Sequence, residues 1–358
     1  MQWAAGRSPH RTCYYAGEPY EGRPTRVFAH FALPDPLPPG GPVPAMVLVH
    51  GGGGRAFPHW ATQWAQRGYA ALAMDLCGCG PDGAPLPDGG PALSDRNAFY
   101  GIASGPQGSW VYHAVAAVIR AVSVLRHQPE VDPDRIGLTG ISWGGYLACI
   151  VAGLDDRLRL AVPVYGCGYL HRNSVWKPML DGMPDGQRTA WIDAFEPSCY
   201  LPGARLPMFW VSGTNDGAYA LDSLQRSYRL APGPRTLRIT VNMPHGHSAG
   251  MDPLEIGAFA DAQLRGATPL PELGEVQRDG AVVRAPLRSR LPIQTATLHY
   301  SADAIPWDHR RWSSVPAAVG EDAVEARLPD ERPLLYFFTV TDLRGAVVST
   351  DYAELPRA

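Results

Sequence analysis

One stretch constrains this chain more than any other: the strand-like Arg135-Ile136-Gly137-Leu138-Thr139, then Gly140-Ile141-Ser142-Trp143-Gly144-Gly145, then an apolar run to Leu154. The pattern predicts a strand, a sharp turn and a helix, with Ser142 on the turn and its hydroxyl exposed. Glycines flank the serine because a side chain at either position would collide with neighbouring backbone. Such an elbow works only at the end of a buried strand, so the rest of the chain must supply a sheet. Apolar runs Ala45–Val49, Tyr69–Met74, Leu160–Tyr165, Pro207–Ser212 and Thr236–Val241 alternate with helical patterns near Trp60–Arg67 and over Ser109–Arg126. Pro133 and Asp134 read as a turn ahead of the elbow strand. Strands alternating with helices predict a largely parallel sheet covered on both faces.

At 358 residues, with 45% hydrophobic and 18% charged residues, the chain has enough apolar material for about two domains. Residues 1–267 are expected to form the catalytic unit, with an excursion over about 168–200, rich in Trp, Met and Pro, acting as a partial lid. Past Pro269, Pro271 and Gly274 the helical period disappears. Runs such as Thr295–Tyr300 and Leu334–Val340 predict short strands, so 268–358 reads as a β-sandwich of immunoglobulin or fibronectin type. A net charge of −3 and the lack of a long basic stretch argue against nucleic acid as a partner. No apolar run is long enough to span a membrane, and Met1–Arg7 lacks a leader's apolar region, so the expectation is a cytoplasmic protein, with a secreted form stripped of its leader left open. A homo-oligomer is compatible with the sequence. Six scattered cysteines, including Cys77-Gly78-Cys79, read as reduced thiols rather than a metal or redox pair. No metal or organic cofactor is expected.

The chemistry-bearing residues fall at strand ends. His50-Gly51-Gly52-Gly53-Gly54 directly follows Ala45–Val49. Glycines there let backbone N–H groups approach a developing oxyanion, and the expected donors are Gly52 (alternatively Gly53) and Trp143, the residue after the nucleophile. The loop lacks the lysine and hydroxyl of a phosphate-cradling loop. His50 is expected to brace the loop. A serine needs a base and the base an orienting carboxylate, in the chain order Ser, acid, His. Asp216, in Gly213-Thr214-Asn215-Asp216-Gly217, follows the Pro207–Ser212 strand, and Asp222 is a weaker candidate. Past the last strand stand His245 and His247. His245, nearer the strand end, is the first choice for the base, with His247 the alternative. Asp75, Tyr112 and His113 read as structural. Trp143, Trp176 and other aromatics of the 168–200 excursion either line the pocket or pack the lid.

Taken together, the glycine loop, the elbow, the Gly213–Asp216 turn and the histidine loop resemble the α/β-hydrolase fold, and within it the bacterial acetyl xylan esterase and cephalosporin-C deacetylase-like group, near the dienelactone hydrolases and prolyl oligopeptidase-type enzymes. Val162-Pro163-Val164-Tyr165-Gly166-Cys167-Gly168 and a trailing β-sandwich strengthen the likeness, which covers residues 20 to 265 best. The resemblance implies a serine esterase with a Ser142/Asp216/His245 triad, an oxyanion hole at Gly52 and Trp143, and acetyl or other short acyl esters, including acetylated sugars, as substrates. The family's deacetylases place a bulky residue after the histidine–glycine pair, whereas this loop is glycine from Gly51 to Gly54. Other readings are a peptidase of the prolyl oligopeptidase type, a lactone hydrolase, and a non-catalytic carbohydrate-binding or scaffold protein.

Overall fold

The computed structural model describes residues 2–3 (backbone only), 10–331 and 334–356. Most of Met1–Arg7 lies outside them. The expected alternation builds a nine-stranded sheet: β1 (Gln2–Trp3), β2 (His10–Ala16), β3 (Arg26–Ala32), β4 (Val43–Val49), β5 (Ala70–Met74), β6 (Val131–Ile141), β7 (Leu160–Val164), β8 (Met208–Gly213) and β9 (Arg235–Thr240). Their spatial order is β1-β2-β3-β5-β4-β6-β7-β8-β9. From β5 to β9 every pairing is parallel, and the three N-terminal strands are antiparallel. Parallel strands are covered on both faces, which is why β4 (VPAMVLV) and β5 (AALAM) are apolar throughout and buried at every residue. The outermost strand β9 (RTLRIT) instead alternates between buried and partly exposed positions. Helices Pro58–Gln66, Trp110–Arg126, Trp143–Leu154 and Leu254–Arg265 pack against this sheet.

One local expectation fails. Pro133 and Asp134 do not turn the chain; they lie within β6. Val43 pairs with Val131 and Ala45 with Ile136, so several residues of β6 sit opposite one step of β4. A bulge absorbs the proline, whose missing N–H cannot join a ladder.

The 168–200 segment forms two helices, Lys177–Asp181 and Asp185–Phe195. After Arg265 the chain contains two five-stranded antiparallel sheets, consistent with a β-sandwich. The longest pairing joins Ile293–Ser301 to Leu334–Asp342. These sheets are tied to the main sheet: Ser349 Oγ accepts the N–H of Ile239 in β9 at 2.9 Å, and Asn215 Nδ2 donates to the carbonyls of Asp308 and Arg310 at 3.2 and 2.7 Å. Among the described residues, no helix is long and apolar enough to cross a membrane.

Candidate active site

The carboxyl ends of the parallel strands meet at one edge, where open α/β sheets characteristically bind ligands. Ser142 follows β6 directly and caps the helix Trp143–Leu154 with φ 58° and ψ −118°. A non-glycine residue in this region is strained and persists only where its surroundings hold it. Here its N–H donates to the Val164 carbonyl and its carbonyl accepts from the Tyr146 N–H, both at 2.9 Å. The flanking glycines are sterically required. A side-chain carbon at Gly140 would lie 2.1 Å from the Gly144 carbonyl oxygen, and one at Gly144 would lie 2.0 Å from that of Val49.

Ser142 Oγ stands 2.9 Å from His245 Nε2, and His245 Nδ1 stands 2.7 Å from Asp216 Oδ2. The serine and aspartate are buried, at 9% and 3% exposure. The other Asp216 oxygen accepts the N–H groups of Ala218 and Tyr219, each at 2.8 Å. The carboxylate therefore closes its own turn with one oxygen and faces the imidazole with the other. The loop carrying His245 leaves β9 through Asn242, whose φ of 54° suits asparagine better than most residues. It is held by Tyr165, whose hydroxyl donates to the Pro244 carbonyl at 2.8 Å and whose ring stacks on His245 at 4.6 Å. The sequence reading passed over Tyr165; its signal was a tyrosine at the exit of a buried strand, here with φ 61°.

His247 lies apart from this chain of hydrogen bonds. Its Nε2 accepts the Gly51 N–H at 3.0 Å and its ring packs on Phe57 at 4.9 Å. Burial and the nearby His50 and His245 lower its pKa, which favours the neutral ring that can accept that bond. Gly51 abuts Ser142 so closely that a side-chain carbon there would come 2.8 Å from Ser142 Cβ. Gly52 lies against the Trp143 indole, and Gly53 takes a φ of 68°. Trp143 begins the helix, so its N–H has no acceptor within that helix. Trp176, from the 168–200 segment, packs at a tilt against Trp143 at 4.8 Å and meets Tyr219 edge-on at 5.1 Å. Asp222, the weaker acid candidate, instead accepts from Asn173 Nδ2 at 2.8 Å.

His50, Asp75 and Cys77 offer ligand atoms within 4.8 Å of one another, but the histidine and the carboxylate are already engaged. His50 Nδ1 bonds the Gly51 carbonyl and its Nε2 accepts the Leu76 N–H, while Asp75 Oδ1 accepts the backbone N–H groups of Cys77 and Cys79. Burial pushes the Cys77 thiol up to about 11, and all six cysteines are free. The cluster thus fastens the glycine loop to the end of β5. Burial also pulls the His50 pKa down to about 4, against the opposing bond to Gly51. Unfolded, the ring titrates near 6.5, so this contribution to stability is complete above about pH 6.5. It is lost as pH falls toward 4, by up to about 3 kcal/mol. His30 and His299 are held in the same way. The melting temperature is therefore expected to fall between pH 7 and 4.5, and less steeply in His50→Gln; an equal slope in thermal melts would refute this assignment.

A hydroxyl, an imidazole and a buried carboxylate in series can carry a proton away from the hydroxyl and return it, which is the requirement for acyl transfer through serine. The acetyl xylan esterase (AXE1) family model matches residues 12–175. The Bacillus subtilis (strain 168) protein YtaP is 28% identical over 140 residues, 34% of this chain and 43% of that protein, so the match spans less than half of this relative. Among solved structures, the acetyl xylan esterase from Paenibacillus sp. R4 superimposes with a TM-score of 0.59 at 22% identity, over 74% of this chain and 88% of the other. Acetyl xylan esterase 1 from Thermoanaerobacterium sp. JW/SL YS485 gives 0.59 at 16% identity, over 73% and 87%.

Proposed function

We propose that this chain, which has the α/β-hydrolase fold and matches the acetyl xylan esterase family model across residues 12–175, is a serine carboxylic ester hydrolase acting on acetyl or other short acyl esters, acetylated sugars among them. The observation that carries this reading is the unbroken hydrogen-bonded series from Ser142 Oγ through His245 to Asp216. His245 takes the Ser142 proton as Oγ attacks the acyl carbonyl. The carbonyl oxygen becomes an oxyanion facing the backbone N–H groups of Gly52 and Trp143. Collapse breaks the ester bond, and the departing alcohol takes the proton from His245. Water, deprotonated by the same imidazole, then attacks the acyl-enzyme and releases the acid. Asp216 keeps Nδ1 of the imidazole protonated, so that Nε2 is free to accept. The aromatic wall of Trp143, Trp176 and Tyr219 beside the nucleophile supports a small acyl group over a long one.

The test is a fluorophosphonate label combined with a panel of p-nitrophenyl esters. Mass spectrometry is expected to place the label on Ser142, and p-nitrophenyl acetate to give a burst of one product per site. Turnover is expected to fall from acetyl to octanoyl esters and to be negligible on the matching anilides. Labelling elsewhere, or none, would end the serine-hydrolase reading, and a preference for anilides would make the protein an amidase.

A further inference from the structure

The tyrosines packed around the nucleophile differ in one respect. Tyr146 donates its hydroxyl to the Phe195 carbonyl at 2.5 Å and Tyr165 donates to the Pro244 carbonyl. The Tyr219 hydroxyl is equally buried, in a residue 1% exposed, yet has no hydrogen-bond partner of normal geometry. An unpaired buried hydroxyl costs about 1–3 kcal/mol, and a phenylalanine would fill the same space without that cost. Tyr219 is also held firmly at the site. Its N–H is bound by the Asp216 carboxylate, its ring lies parallel to the His245 ring (9°, centroids 6.3 Å apart), and Trp176 closes on it edge-on. We propose that Tyr219 is a catalytic residue whose phenol donates a hydrogen bond to Ser142 Oγ as that oxygen gains negative charge. This rests on the esterase reading above and deepens it.

The chemistry balances without any further reactant. In the resting site Ser142 donates its proton to His245 Nε2, which leaves lone pairs on Oγ to accept from Tyr219. Negative charge develops on Oγ twice: when its proton departs during attack, and when the C–Oγ bond breaks during deacylation and Oγ takes a proton back from His245. The phenol keeps its own proton throughout. Burial, with the Asp216 carboxylate adding to it, raises its pKa well above the ordinary value, and the nearby Ser142 hydroxyl opposes the rise. The group therefore stays a donor across the working pH range. At rest the phenol makes no hydrogen bond of normal geometry, and such contacts commonly form only in the reacting complex.

Tyr219→Phe removes the hydroxyl alone. Its burst with p-nitrophenyl acetate is expected to keep full amplitude, while the deacylation rate drops about tenfold to a hundredfold, within the effect of losing one donor to a charged oxygen. The drop should be the same for acetyl and butyryl enzymes, because Oγ is the leaving atom in both, with melting temperature unchanged or higher. Wild-type deacylation, or a loss that varies with acyl length, overturns the assignment; the latter would make Tyr219 part of the pocket wall. If the Phe variant does not fold, 3-fluorotyrosine at 219, a stronger donor of nearly the same shape, is expected to speed deacylation, and an unchanged rate overturns the proposal. Wild-type protein that shows no burst and no label on Ser142 defeats the esterase reading itself, a result distinct from failure of the Tyr219 assignment alone.

Discussion

Ser142→Ala is expected to lower kcat on p-nitrophenyl acetate by about a millionfold, and His245→Ala by about as much, while the double variant is no slower than either alone. The two groups work as a unit: without the imidazole the hydroxyl keeps its proton, and without the hydroxyl the imidazole has nothing to activate. His247→Ala provides the control. His247 sits two residues along the same loop but accepts the Gly51 N–H rather than facing Ser142. Its loss should loosen the glycine loop and slow turnover by tens of fold at most. Steady-state kinetics on the purified variants, each checked for a native melt, separate these outcomes. A His247→Ala enzyme slower than His245→Ala would reverse the assignment of the base.

The second large effect is expected at Asp216. One carboxylate oxygen is occupied by the N–H groups of Ala218 and Tyr219. In Asp216→Asn the amide oxygen must take that position, because an NH2 group cannot accept those two donors. The amide nitrogen is then turned toward His245 Nδ1 and donates to it. Nδ1 must become the acceptor, the ring proton moves to Nε2, and Nε2 can no longer accept from Ser142. A fall of about ten-thousandfold in kcat at neutral pH follows, with the fold intact. A variant retaining a tenth or more of wild-type kcat would show that the tautomer at His245 is set by something other than Asp216.

Much of this arrangement was legible in the sequence because it depends on where strands end. The elbow around Ser142 announces itself through Gly140 and Gly144, whose lack of side chains is demanded by backbone atoms about 2 Å away. Asp216 and the histidine loop follow from runs of apolar residues that stop where the sheet stops. The contributions of His245 and His247 were not separable from sequence, since both leave the same strand two residues apart and only the direction of their hydrogen bonds distinguishes them. Pro133 misled for a physical reason: proline usually marks a turn, but a bulge between β4 and β6 accommodates it. Tyr165 and Tyr219 carry no local motif. Their positions at the site arise from packing between segments distant in the chain. The one available hint was that Tyr219 stands three residues past an aspartate able to bind its N–H.

The bonds from Asn215 to the carbonyls of Asp308 and Arg310 give the C-terminal segment a bearing on the proposed chemistry. Asn215 neighbours Asp216, so the loop from 308 to 310 buttresses the turn whose carboxylate faces His245. A protein assembled this way is less modular than its alternation of folds suggests: the acid turn leans on a loop near residue 309, and a disturbance there would reach Ser142 through the Asp216 and His245 side chains.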